Sequence, residues 1–222
     1  MKAKLILLGM LATLIVSNTN AQKTSFGVRG GVNFYNVTGK TNNGDKLDNK
    51  IRPGYNLGIN AEIPIGIDFY VQPGVIYSTK GAKDLFGAEY GIKIGYIEVP
   101  VNLLYKPDIG TGKLLLGFGP YVAFGVGGNL IPNSADIKKL PLKFKGEITE
   151  DEATTPGHYY IKGFDAGANF FFGYEMSSRF SAQLNAGLGL VNFNAKVKGS
   201  DSGKASLNNT GFGVSLGYRF SK

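Results

Sequence analysis

The chain of 222 residues has no cysteine and no tryptophan, and it carries one histidine. The missing cysteine excludes disulfides, thiolate metal sites, thiol nucleophiles and the acylated cysteine of a lipoprotein. A lone histidine among scattered carboxylates is a poor basis for a metal centre. Charge is sparse: Asp, Glu, Lys and Arg make up 18% of the chain, and bases outnumber acids by 24 to 16. Beyond the first residues no apolar run reaches the roughly 20 residues that a transmembrane helix needs. No Pro/Ser-rich linker or shift of composition marks off a second domain, and the length suits one domain or two small ones.

What is abundant is glycine, with 33 residues, and aromatic side chains, with 15 Phe and 12 Tyr. That balance favours many short strands and turns over long helices. The first residues read MKAKLILLGMLATLIVSNTNAQ. Lys2 and Lys4 precede an apolar stretch from Leu5 to Val16, and Thr19 and Ala21 are small residues at a cleavage site. The pattern predicts a cleaved signal peptide over 1–21. A single mature domain over 22–222, with a net charge of about +6, follows from that reading.

The mature chain repeats one pattern: large apolar residues alternate with small, polar or charged ones. Phe212, Val214, Leu216, Tyr218 and Phe220 face away from Gly213, Ser215, Gly217 and Arg219. Seven more segments behave likewise, at about 24–34, 53–63, 68–79, 93–105, 113–126, 160–174 and 179–193. The links between them alternate in length. Residues 64–67, 106–112 and 175–178 are short, whereas 35–52, 80–92, 127–159 and 194–208 are long and polar. The loop at 127–159 has room for a short strand or helix of its own. The expectation is an all-β, eight-stranded, antiparallel up-and-down transmembrane β-barrel, with short periplasmic turns and long extracellular loops. Pro73 and Pro120 lie within predicted strands, lack an N–H, and suggest bulges.

A soluble lipid-binding barrel alternates too, with its apolar face inward and a charged face in water. Here the second face is mostly Gly, Ser, Asn and Gln, which suits the crowded interior of a narrow barrel, so the apolar face is assigned to lipid.

The stretches SFGVRGGVNFYNVTG, GYNLGINAEIPI, YVQPGVIYSTKGAK, YIEVPVNLLYK, LLLGFGPYVAFG, FDAGANFFFGYEM, RFSAQLNAGLGLVN and GVSLGYRF carry a resemblance. In order and spacing they resemble the PorT-like outer membrane protein beta-barrel domain family of Bacteroidetes. The resemblance implies a Gram-negative outer-membrane location and a role beside protein secretion or in envelope integrity. It also implies that Tyr218 and Phe220 are similar to the terminal aromatics read by the barrel assembly machinery.

Six charges are expected to face inward: Arg29, Glu62, Glu98, Asp165, Arg179 and Arg219. Buried charges are costly unless paired, so an ion network is expected. An ionic plug is one reading of it, and a selectivity constriction or proton path in a small pore is the other. His158, close in sequence to Glu150, Asp151 and Glu152, is the one candidate centre for a lipid A-modifying enzyme. No nucleophile and base at a defined spacing accompany it, and the chain is read as a non-enzyme with no cofactor. Loops rich in Lys and Arg make lipopolysaccharide phosphates or anionic glycans candidate partners beside the outer-membrane lipid. Nucleic acid is not expected, since the bases are not interleaved with aromatics in a binding motif.

Overall fold

The computed structural model describes residues 24–85, 90–133, 138–199 and 205–220. The predicted signal peptide lies outside them. Eight long strands form the body: β1 (Ser25–Lys40), β2 (Lys50–Gly66), β3 (Phe69–Lys83), β4 (Tyr90–Tyr105), β6 (Gly112–Pro132), β10 (Phe164–Glu175), β11 (Phe180–Gly189) and β13 (Ser206–Phe220). Shorter pieces lie between them: β5 (Asp108–Ile109), β7 (Leu140–Phe144), β8 (Glu147–Ile148), α1 (Glu150–Thr154), β9 (Tyr159–Ile161) and β12 (Lys196–Val197).

The long strands pair antiparallel in the order β10-β11-β13-β1-β2-β3-β4-β6, and β6 pairs back onto β10, so the eight make a ring. Pairing is uneven around it. β1 meets β13 from Phe26–Phe220 up to Lys40–Ser206, whereas β10 meets β11 only from Gly167–Gly189 to Glu175–Ser181.

The faces are oriented as the alternation predicts. Along β11, Phe180, Ala182, Leu184, Ala186 and Leu188 are on the outward face, while Ser181, Gln183, Gly187 and Gly189 are on the inward one. Leu184 is 59% exposed and Ser215 1%. A fold that turns leucines outward and serines inward has inverted the usual rule of a water-soluble core. On β2 the outward apolar series runs from Tyr55 through Leu57 and Ile59 to Ile65. Ten residue steps on a tilted strand span about 25 Å, the height of an outer-membrane apolar band. Aromatic pairs edge this band. Phe69 stacks on Tyr105 at 4.8 Å and Phe180 meets Tyr218 at 4.9 Å at the short-turn end; Phe34–Phe212 at 5.5 Å and Phe124–Phe164 at 5.6 Å lie higher.

Three short links sit at one end, with left-handed backbone at Asp68 and Arg179 and a tight β5–β6 hairpin around Gly110. The strands run further at the other end than the sequence pattern predicts, to Lys40, Lys83 and Pro132. There the interior turns apolar. Val37, Ala82, Ile92, Ile94, Leu130 and Leu207 pack with Leu47, Leu142, Ile161 and Phe193 from the loops. Together with the small pairings β7–β9 and β8–β12 they make a folded cap over the ring. The helix α1 is fixed by a capping box between Thr149 and Glu152.

The expected bulges at Pro73 and Pro120 are not there. Both prolines keep register, opposite Val101 and Ala168, because losing one N–H breaks a single ladder bond and leaves the strand conformation intact. The register shifts lie instead at Ile51/Asn56 and Pro64/Gly66 between β2 and β3, and at Gly95/Tyr96 between β4 and β6.

Candidate functional site in the lumen

The inward charges collect in two networks stacked along the barrel. Near the short turns, Lys106 at the end of β4 reaches Glu62 of β2 at 2.9 Å and Glu175 of β10 at 2.8 Å. Arg219 of β13 binds the other Glu62 oxygen at 2.5 Å, and the Gln72 amide donates to that oxygen at 3.4 Å. Two bases therefore face two acids across four strands that are not ring neighbours.

Higher up, Lys80 is 1% exposed, and its ammonium sits between Glu98 at 3.0 Å and Asp165 at 3.4 Å. Three tyrosine rings surround it, with centroids at 4.2 Å for Tyr121, 5.2 Å for Tyr35 and 5.5 Å for Tyr96. The negative ring faces hold the cation where water would otherwise be needed. Asp165 accepts from the Tyr121 hydroxyl at 3.2 Å and from the Asn209 amide at 3.0 Å. Arg29 faces Glu98 and Tyr35 and balances this group at two positive and two negative charges. Neutral, multiply bonded clusters are the form in which buried charge is tolerated.

Between the networks lies a cavity of about 40 Å³, lined by Arg29, Asn33, Ser78, Glu98, Asn102 and Asn185. The Arg29 Nε and the side-chain oxygens of Asn33, Asn102 and Asn185 have no protein partner. The cavity has room for water but not for a passing solute.

The structure thus joins Glu62 to Arg219, joins Glu98 to Asp165 through Lys80, and puts Arg29 beside them. Arg179 is a correction. It lies outside the lumen, exposed at the short turn, with φ 71° and its backbone oxygen bound to the Arg219 N–H. The tight turn back into β11 takes it out of strand phase. Three network members escape the sequence reading: Lys80, Lys106 and Glu175. Each stands at or just past the strand end drawn there, yet each continues the even or odd phase of its strand's lumen face. The signal is the unbroken period; a charged residue at that point reads as the start of a loop.

His158 is exposed in the turn before β9. The neighbouring acid Glu152 is engaged by Lys145 at 2.5 Å and by the Thr149 N–H at 3.0 Å. Among the described residues no group of His, Asp and Glu is arranged to hold a metal.

Several solved structures align with the chain at low identity. A major outer membrane protein from Thermus thermophilus aligns over 90% of this chain and 100% of its own, with 15% identity and a TM-score of 0.50. OprG from Pseudomonas aeruginosa aligns over 90% and 98%, with 13% identity and a TM-score of 0.43. Ail of Yersinia pestis aligns over 90% and 100%, with 12% identity and a TM-score of 0.42. No curated protein matches the chain. Residues 20–195 match the family described as outer membrane protein beta-barrel domain, which covers the ring from β1 through β11 and leaves β13 to close it. The chain belongs to the outer membrane protein beta-barrel domain family, and its inverted wall and eight-strand ring are those of an outer-membrane protein.

Proposed function

We propose that the protein is a non-conducting, non-enzymatic outer-membrane barrel that acts through its folded long-loop cap. The observation that carries this reading is the filled lumen. Two neutral ion networks occupy its middle and lower part, and an apolar core closes the part beneath the cap. A narrow ring filled this way anchors and displays; it does not transport.

In this reading the short turns face the periplasm and the cap faces outward, as the loop asymmetry favours. Its partners are outer-membrane lipid and lipopolysaccharide at the wall, and envelope or secretion proteins at the cap. The last of these is implied by the resemblance to PorT-like proteins. Tyr218 and Phe220, stacked edge-on at 5.4 Å on the final strand, are the aromatics offered to the barrel assembly machinery during insertion. The filled lumen counts against the small-pore alternative, and Glu152, the acid close in sequence to His158, is engaged by Lys145 instead.

Planar-bilayer recording on the purified protein tests the reading. A silent membrane is expected, and reproducible unitary currents would overturn it. Crosslinking in cells from the cap at residues 138–161 identifies the partner.

A further inference from the structure

On the outer wall, at the long-loop end of β2, β3 and β4, the alternation of β2 is broken by one extra residue between Ile51 and Asn56. Below the break the even-numbered residues of β2 point into the lumen. Above it Ile51, half-exposed, pairs with Ala82 and Lys50 with the exposed Lys83, while Arg52, opposite the lumen residue Tyr35 on β1, turns its guanidinium across the wall onto Gly91 of β4. The break is built in. Pro53 lies within it, and Thr79 patches the interrupted ladder by accepting from the Tyr55 N–H at 2.9 Å and donating to the Tyr55 carbonyl at 3.3 Å.

Arg52 is then pinned on the wall by its Nε, which donates to the Ala82 carbonyl at 3.1 Å. Its guanidinium lies over Gly91, where a Cβ would collide with it. The next outward residue of β4 is Lys93, over the Tyr55 ring at 5.8 Å, and the next is Gly95, on which the Tyr77 hydroxyl rests. Lys50 and Lys83 are directly opposed across β2 and β3. A like-charged cross-strand pair is unfavourable by itself. Asp84 relieves it, bonding Lys50 at 2.6 Å, and Asp48 adds to the field there. Four bases and one bonded acid therefore edge the apolar band immediately above Tyr55, Leu57 and Ile59, which are 50%, 65% and 61% exposed.

We infer that this patch binds the phosphorylated headgroup of an outer-leaflet glycolipid. Arg52 and Lys93 contact the phosphate, and the acyl chains lie on the Tyr55–Leu57–Ile59 wall. The aliphatic wall directly beneath the charges selects a lipid over a soluble anion. The basic and aromatic residues stand at the level where headgroups begin. The inference rests on the membrane-embedded reading of the wall proposed above and gives the glycolipid partner named there a defined site.

The test is native mass spectrometry of the full mature protein from nanodiscs of phosphatidylcholine doped with bis-phosphorylated lipid A or with its dephosphorylated form. Flotation with vesicles checks membrane residence separately. The parent should retain the phosphorylated lipid over the other, and R52A/K93A should lose about thirtyfold of that preference. K143A, a charge change on the cap, should keep it. Equal retention of both lipids by the parent would overturn the inference, as would an unaltered preference in R52A/K93A. Complete displacement by millimolar inorganic phosphate would overturn it too, by making the patch a soluble-anion site. Where the double variant gives no folded band, R52Q and K93Q are read singly with the same expectation. Failure to float would refute the membrane reading instead.

Discussion

Arg219, on the last strand, and Glu62, on the second, meet inside the ring at 2.5 Å across the intervening β1. The pair is 157 residues apart in sequence, and Lys106 ties it to Glu175 on the far side. Closing the ring and neutralising the lower lumen are therefore one event. Glu62→Ala leaves Arg219 without its acid and Lys106 with Glu175 alone. Reversible folding into lipid vesicles, followed by urea titration, should show a loss of about 3–5 kcal/mol. Replacing Glu62 and Arg219 together by apolar residues of similar size should recover most of that loss.

Lys80 is the equivalent keystone of the upper network. Lys80→Met leaves Asp165 buried without its cation and Glu98 with Arg29 alone, and should cost about 3–5 kcal/mol in the same assay. Adding Asp165→Asn to Lys80→Met should restore most of the stability, since Arg29 and Glu98 then balance each other. A double variant no better than Lys80→Met would show that the tyrosine cage, and not charge balance, sets the cost.

The orientation of the wall is tested on β11 by neighbouring residues. Leu184→Arg puts a charge into the apolar band and should destabilise insertion by about 2–4 kcal/mol. Asn185→Ala removes an inward amide that donates to Ser215 at 3.0 Å and should cost about 1 kcal/mol. The reverse ranking would mean that the faces are exchanged.

Gly81 has φ 143° and faces the Ile92 carbonyl so closely that a Cβ would overlap it. Gly81→Ala should cost about 1–3 kcal/mol of stability. Because Gly81 is paired with Lys93, the variant should also disturb the wall around Tyr55 and Tyr77. The loss should appear as a lower urea midpoint in the vesicle assay, together with faster amide exchange at Lys93.

Glu152 responds to acid. Its bonds to Lys145 and to the Thr149 N–H hold its pKa below the usual 4.5 of a glutamate. A carboxylate lowered in the folded state stabilises α1 fully above that usual value and loses its contribution as pH falls through the lowered one. Hydrogen exchange over residues 150–154 should thus be unchanged from neutral pH to about 5 and rise below about 4. Glu152→Gln should abolish the step, because its amide neither titrates nor forms the ion pair with Lys145.

The ring was legible because a period of two survives through the middle of each long strand, where lipid and lumen select opposite residues. Leu184 and Gln183 announce their sides by chemistry alone. The site was half legible. Glu62, Glu98, Asp165 and Arg219 could be found from the phase, but Lys80 and Lys106 are ordinary loop residues in composition and become lumenal only because the strands run on. Arg52 could not be placed by phase counting, since the register shifts between Ile51 and Asn56. The cap was not legible either. Leu47 stands alone in a polar segment, Leu142 lies in the run LPLKF of the longest loop, and Phe193 ends the segment at 179–193; only the fold brings them together.

The lower network also dictates an order of events during biogenesis. Its members sit on β2, β4, β10 and β13, so no hairpin in isolation contains a satisfied pair. A sheet built from β2 through β10 pairs Lys106 with Glu62 and Glu175 but holds two acids against one base, so one negative charge still needs water. That last charge is neutralised only when β13 docks and brings Arg219 with it. The final strand is in this sense the stopper of the vessel as well as its last stave, and a chain truncated before Ser206 would be left as an open, wetted trough.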